Sequence, residues 1–290
     1  MERCDFLPVS AEEMHERGWW WYDALVVGGD AYVDHPSFGT AVISRVLEAE
    51  GLRVAVLAQP DWHDAEAFRA MGRPRLGVFI GAGNLDSMVA HYTAAKRRRS
   101  EDFYSPGKRS GCRPDRAAIV YCNRAREAFG SDMPIILGSL EASLRRFAHY
   151  DYWDDSVRRA ILFDAPADLL VYGMGEAATI EIAHRLKKKQ SVRTMTDIPG
   201  TGYITRDPSV CKFDHITLPS FEDVRDDKRL YAEATRTEYA EHDPIRGRAM
   251  IQPCEGRYLI ITPPAMPLDT KELDRVAELP YTREWHPMYE

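Results

Sequence analysis

Closely spaced cysteines are missing from this chain. Its five, Cys4, Cys112, Cys122, Cys211 and Cys254, lie too far apart for a short iron–sulfur or zinc ligand motif, so reduced, mostly structural thiols are expected. Long apolar runs are missing as well: the opening MERCDFLPVSAEEMHERGWWWYD offers neither a secretory signal core nor a membrane anchor, which makes a cytoplasmic, non-membrane protein the expectation. There is no excess of positive charge. A formal net charge of −7 argues against a general nucleic-acid binder, and KRRRS at 96–100 reads as a solvated face. The dinucleotide pattern G-x-G-x-x-G, the phosphate loop G-x-x-x-x-G-K-[ST] and the zinc pattern H-E-x-x-H are all absent, so nicotinamide, nucleoside triphosphate and zincin chemistry lose specific support.

What remains is a chain of 290 residues, 44% of them hydrophobic, with material for a substantial core. DALVVGG at 23–29 reads as a buried strand stopped by glycine. Apolar residues from Ala41 to Ala49 then fall on a helical stripe, and RVAVLAQP at 53–60 closes a strand–helix–strand unit. The alternation continues with a short helix in DAEAFRAMG, strands in RLGVFIGAG, MPIILGS and ADLLVYGMGE, and helices in RPDRAAIVYCNRAREAFG and EAATIEIAHRLKKK. Residues 1–190 therefore read as one α/β, Rossmann-like domain with a parallel sheet. Beyond 190 glycine and proline break the pattern. DIPGTGYITR, HITLPSFED, a polar helical run at 226–242 and RAMIQPCEGRYLIITPP, two strands around CEG, form a C-terminal extension packed against the sheet, or a connector, over 191–290.

Polar or glycine-rich turns follow successive strands: GGDAYVDHPSFG, AQPDWHD, GAGNLDS, GSLEASLRRF and GMGE. In open parallel sheets this is the edge where ligands bind. Backbone approach is expected at Gly28, Gly29, Gly81 and Gly83, and polar orientation from Asp30, Asp34, His35, Asn84, Glu141, Arg145 and Glu176. Asp30, Asp34, His35, Asp61 and His63 also offer oxygen and nitrogen donors from adjacent strand ends, which would suit a standalone metal-assisted hydrolase. Without stringent spacing, turn capping by Asp34 and Asp61 and local satisfaction of the histidines is the preferred account. EASLRRFAHYDYWDDSVRR, if helical, pairs Glu141 with Arg145 one turn on and brings Arg146, His149 and Asp151 toward a polar ligand. Trp19, Trp20, Trp21 and Tyr22 are too many large aromatics to leave exposed, and are expected to seal the sheet or a seam between domains.

Longer stretches carry a more specific signal. FLPVSAEEMHERGW, GGDAYVDHPSFGTAVISRVLEAEGLRVAVLAQPDW, GRPRLGVFIGAGNLDSMVAHYTAAKRRRSEDFYSPG and GSLEASLRRFAHYDYWDDSVRRAILFDAPADLLVYGMGE closely resemble the N-terminal region of the YgiQ-like radical S-adenosylmethionine proteins, and the likeness runs through ITPPAMPLD to LPYTREWHPMYE. The resemblance implies a cobalamin-binding-domain-like α/β region placed before a radical S-adenosylmethionine barrel. In that barrel a C-x-x-x-C-x-x-C motif holds a 4Fe-4S cluster whose open iron binds S-adenosylmethionine. This sequence has no such motif, so no catalytic residue and no cluster ligand carries over. The expectation is an accessory domain, not catalytic alone, whose partner is a radical SAM catalytic domain, covalent or separately encoded. Cobalamin itself is weakly implied: DHPSFG departs from the D-x-H-x-x-G ligand signature, leaving a histidine-independent mode through Gly28, Gly29, Ser37, Gly81 and Gly83. A structural partner domain without a small-molecule ligand is the other alternative.

Overall fold

The computed structural model describes residues 5–290, so the expectation for Cys4 lies outside the described residues. Strands β1 (Ala24–Gly28), β2 (Val54–Ala58), β3 (Gly77–Ile80) and β4 (Ile135–Leu137) alternate with helices α1 (Ala11–Glu16), α2 (Gly39–Ala49), α3 (Glu66–Ala70), α4 (Ser87–His91), α5 (Ala117–Phe129) and α6 (Ser139–Leu144). A hairpin of β5 (His149–Asp151) and β6 (Ser156–Arg158) follows, then β7 (Leu169–Val171) and α7 (Glu176–Lys187). The remainder comprises β8 (Thr201–Thr205), β9 (His215–Thr217), α8 (Phe221–Asp226), α9 (Lys228–Ala240), β10 (Ala249–Cys254), β11 (Arg257–Ile261) and α10 (Thr270–Ala277).

Among the described residues nine strands form one sheet in the order β2-β1-β3-β4-β7-β8-β11-β10-β9. The first five are parallel, with Ala24 opposite both Val54 and Gly77. Because β1 has β2 on one side and β3 on the other, the chain reverses its direction of winding between them. That reversal opens a crevice at the carboxyl ends of the strands.

Alternation along each strand sends side chains to two apolar layers. Leu25, Val27, Val78 and Ile80 pack with Phe68 of α3 and Tyr121 of α5, whereas Val26, Phe79, Ile136 and Val171 face Leu47 of α2 and Ile182 of α7. These strands are buried on both faces, which is why they read as unbroken apolar runs.

After residue 190 the chain extends the sheet edge, and α8 packs Phe221 and Val224 with Cys254 of β10. Strand β8 pairs antiparallel with β7, setting Leu170 opposite Gly202, and the β10–β11 hairpin continues the ladder. Its turn needs left-handed backbone at Glu255 (φ 49°) and Gly256 (φ 71°), as a tight two-residue hairpin does.

Two sequence expectations are corrected. The conditional helical reading of EASLRRFAHYDYWDDSVRR holds only as far as Leu144, and residues 149–158 form a hairpin. The N-terminal aromatics do not all seal the sheet. Tyr22 is buried, but Trp20 is 81% exposed, and Trp21 lies between the guanidinium groups of Arg53 and Arg75, 4.0 and 3.6 Å from its ring centre. The described cysteines are free, with Cys122 and Cys254 buried. No helix among the described residues is long and apolar enough to cross a membrane.

Candidate functional site: a cavity at the carboxyl edge

Strand β1 ends at Gly28, and the backbone at Gly29 passes so near the loop after β3 that a Cβ there would stand 2.0 Å from the Ala82 carbonyl oxygen. Only glycine allows this approach. Asp30 then turns inward. Its Oδ1 accepts from Arg113 Nη1 at 2.7 Å and its Oδ2 from the Asn84 N–H at 2.6 Å, while Arg113 Nη2 donates to Asp102 at 2.7 Å. Burial pushes the Asp30 carboxyl above its usual range against the pull of Arg113. At Asp102 burial acts the same way, but the Ser105 hydrogen bond and the Arg113 charge outweigh it and hold the carboxyl low.

Asp34 closes a second buried pair. Arg45 of α2 donates from Nε to Asp34 Oδ1 at 3.1 Å and from Nη2 to Oδ2, which also accepts from the Thr282 N–H at 2.9 Å. A bridge between Val33 and Trp285, and Tyr289 Oη accepting from the Tyr32 N–H at 2.7 Å, strap the C-terminal segment onto the same loop. Asn84 joins two loops, accepting from the Gly39 N–H at 3.2 Å and donating to the Ser37 carbonyl at 2.9 Å. Glu141 caps two helices at once. Its Oε2 accepts from the Ser87 N–H at 2.9 Å and its Oε1 from the Ala118 N–H at 3.1 Å, and burial pushes its carboxyl up, with the Asp86 charge adding to the effect. Arg145 pairs with Asp86 and stands 3.7 Å from Glu141.

At the same edge lies a cavity of about 350 Å³, the scale of a small-molecule site; Asn84 reaches its rim through Gly39 and Ser37. Its floor is Val26, Phe79, Ile136 and Val171, the last residues facing the α2–α7 layer, and Ile43 and Thr179 close it from those helices. A Cβ at Gly81 would lie 3.1 Å from Ser139 Cβ and one at Gly175 2.9 Å from Val171 Cγ1, so both glycines keep the space open. Helices α2 and α7 begin at its rim, and neither N-cap residue, Phe38 or Gly175, caps its helix with a side chain.

Of the residues picked out in the sequence, Ser37, Gly81, Gly83 and Glu176 line this cavity. Gly28, Gly29, Asp30 and Asn84 shape the adjoining turns, while Asp34, Glu141 and Arg145 are held in ion-pair and capping contacts outside the cavity lining. His35 Nδ1 accepts from the Ser37 N–H at 3.1 Å, a local turn contact. Arg45 and Arg113, which fix the two aspartates, were not legible as site residues. For Arg45 a signal exists, an arginine on the apolar stripe of α2 facing an acidic loop; Arg113 lies 83 residues from Asp30 and gives no local sign. Ser139, in the left-handed region at φ 72°, was also missed. Its Oγ accepts from the Ala82 N–H at 3.0 Å, and among the described residues no histidine, lysine or cysteine lines the cavity to make it a nucleophile–base pair.

The metal-hydrolase reading is corrected by the same geometry. Asp30 and Asp34 are closed on arginines, and Asp61 caps its own turn, accepting from the His63 N–H at 3.0 Å with Nδ1 2.6 Å away. Among the described residues no group of three or more His, Cys, Asp or Glu side chains could hold a metal ion. His35 is turned onto its own loop, so no histidine is offered there as a ligand to a corrin.

Fold and cavity together define a doubly wound α/β domain with a ligand-sized crevice at its switch point. The sequence pattern of the family described as Radical SAM N-terminal matches residues 6–290, and the chain belongs to that family. It is 53% identical over 290 residues to a UPF0313 protein of Clostridium botulinum (strain Loch Maree / Type A3), covering 100% of this chain and 45% of that protein. A UPF0313 protein of Clostridium perfringens (strain SM101 / Type A) is 51% identical over 290 residues, with 100% and 44% covered. The chain thus spans less than half the length of these curated relatives. Among solved structures, the radical S-adenosylmethionine methyltransferase TsrM from Kitasatospora setae, with tryptophan substrate and a SAM analogue bound, matches at TM-score 0.41 and 20% identity, over 62% of this chain and 28% of that one. A TsrM structure with cobalamin and a [4Fe-4S] cluster bound matches at TM-score 0.40 and 18% identity, over 62% and 26%. Those ligands are TsrM's.

Proposed function

We propose that this chain is an accessory, ligand-presenting domain that sets the cavity at its sheet's carboxyl edge against a radical S-adenosylmethionine catalytic module, covalently joined in longer relatives or separately encoded. In this reading residues 1–190 carry the ligand site and 191–290 extend the sheet and connect to the catalytic module. The observation that carries the proposal is the convergence of two things on one edge: the cavity opens there, and residues 282–289 are strapped to the Tyr32–Asp34 loop beside it. A chain continuing from the position of Glu290 in a longer relative would leave from that rim. Exposed apolar side chains there, Leu140 and Leu144 on α6 and Met174 after β7, fit a covered face.

The test is to express this chain with the remaining portion of a UPF0313 relative supplied in trans. A complex is expected on size exclusion, weakened at least about tenfold by Leu144→Glu at the carboxyl edge and unaffected by Trp20→Glu at the amino edge. No complex, or equal sensitivity at both edges, overturns the proposal.

A further inference from the structure

We infer that the cavity selects a compact apolar ligand bearing a hydrogen-bond donor, an amine, amidine or amide N–H, and turns anions away, with Glu176 as the selecting group. The inference rests on the cavity being a ligand site and adds the chemistry of its occupant. Glu176 is the first residue of α7 and lines the cavity, and its Oε2 is buried with no hydrogen-bond partner in the protein. A buried carboxylate oxygen left unpaired is costly, so a partner is expected from whatever fills the space. Among the described residues lining the cavity, Glu176 is the single ionisable side chain. The arginines of the neighbouring ion pairs are already engaged, Arg45 with Asp34 and Glu48, Arg113 with Asp30 and Asp102, and Arg145 with Asp86.

Two helix N-termini at the rim argue for an anion instead, so the competing effects need weighing. Each terminus amounts to roughly half a positive charge. At α2 the first N–H is already taken by Asn84 Oδ1, and at α7 the full negative charge of Glu176 sits on the terminus itself. The balance at the cavity is negative. Its floor of valine, isoleucine and phenylalanine supplies no polar contact, and a volume of about 350 Å³ limits the ligand to a body of one or two rings or the aliphatic equivalent.

Benzamidine, benzamide and benzoate share a size and shape and differ in charge and donors, which makes them suitable probes. They are titrated into the 290-residue chain by NMR, with the amides of Gly39, Gly81, Ser139 and Gly175 as reporters. Benzamidine is expected to bind at least about tenfold more tightly than benzoate, with benzamide between them. In Glu176→Gln the preference for benzamidine over benzoate falls at least about fivefold, while benzamide changes less than about threefold. If Glu176→Gln fails to fold, Glu176→Asp replaces it; the withdrawn carboxylate weakens benzamidine yet keeps the preference of cation over anion. Benzoate binding as well as benzamidine, or a preference untouched by Glu176→Gln, overturns the inference and leaves the cavity a ligand site. No reporter shift with any probe at millimolar concentration overturns the ligand site as well.

Discussion

The two halves of the sheet are held together by different physics. In the parallel half the loops at the carboxyl edge are pinned by ion pairs removed from water, with Arg45 and Asp34 at 1% and 0% side-chain exposure and Arg113 at 0%. In the other half, antiparallel except for the edge strand β9 beside β10, strand ladders, apolar packing and a buried hydroxyl pair predominate. Thr262 Oγ1 accepts from the Thr201 N–H at 2.9 Å and donates to the Ile198 carbonyl at 2.9 Å, and in the ion pair of Arg248 with buried Glu241 the arginine reaches solvent. A hairpin fixes its own register through its turn, whereas parallel strands leave long loops that need outside anchors. Buried charge is concentrated where long loops meet the carboxyl edge.

The sharpest way to break this contrast is Arg113→Ala, which strands Asp30 and Asp102 in the interior. A loss of about 3–5 kcal/mol is expected from urea unfolding, against about 1 kcal/mol or less for Arg225→Ala in the other half, whose pair with Asp226 is exposed. Equal losses would remove the distinction. Next comes Gly29→Ala, whose Cβ would collide with the Ala82 carbonyl, for a loss of about 1–3 kcal/mol. Gly39→Ala, with nothing within 4 Å of its Cβ, is expected to stay within about 0.5 kcal/mol of the parent. Thr262→Val, which leaves the Thr201 N–H unpaired, should cost about 1–2 kcal/mol without disturbing the cavity amides in an NMR spectrum.

The smallest effect concerns pH. Burial pushes the Glu238 carboxyl from 4.5 to about 7, against the charge of Arg146. A folded-state pKa above the unfolded one means that the native state holds the proton more tightly, so the contribution is complete below the unfolded value and is lost as pH rises to about 7. Glu238→Gln should remove on the order of 1 kcal/mol of this pH dependence between pH 5 and 8, seen in urea midpoints. An unchanged slope in the variant would show that Glu238 does not titrate with folding.

How far the sequence could be read follows from the same physics. Strands β1 to β4 and helices α2, α5 and α7 were legible because burial on both faces leaves apolar runs punctuated by glycine, and CEG announced the β10–β11 turn. The β5–β6 hairpin was hidden behind the Glu141–Arg145 spacing, which suits a helix and is realised in one, though the helix stops at Leu144. Glycines and polar residues at the strand ends pointed to the edge of the sheet where the cavity lies. They did not separate Glu176, which faces the cavity, from Asp34 and Glu141, which face arginine and helix N–H groups outside the cavity lining. That separation depends on partners distant in sequence, such as Thr282 for Asp34 and Ala118 for Glu141.

The most direct measurement is hydrogen–deuterium exchange on this chain in complex with the remaining portion of a UPF0313 relative. Protection is expected in the carboxyl-edge segments 31–39, 81–91, 138–146 and 173–176, with residues 17–22 and 72–76 at the amino edge exchanging as in the free chain. Protection confined to the amino edge, or none on mixing, would contradict the account.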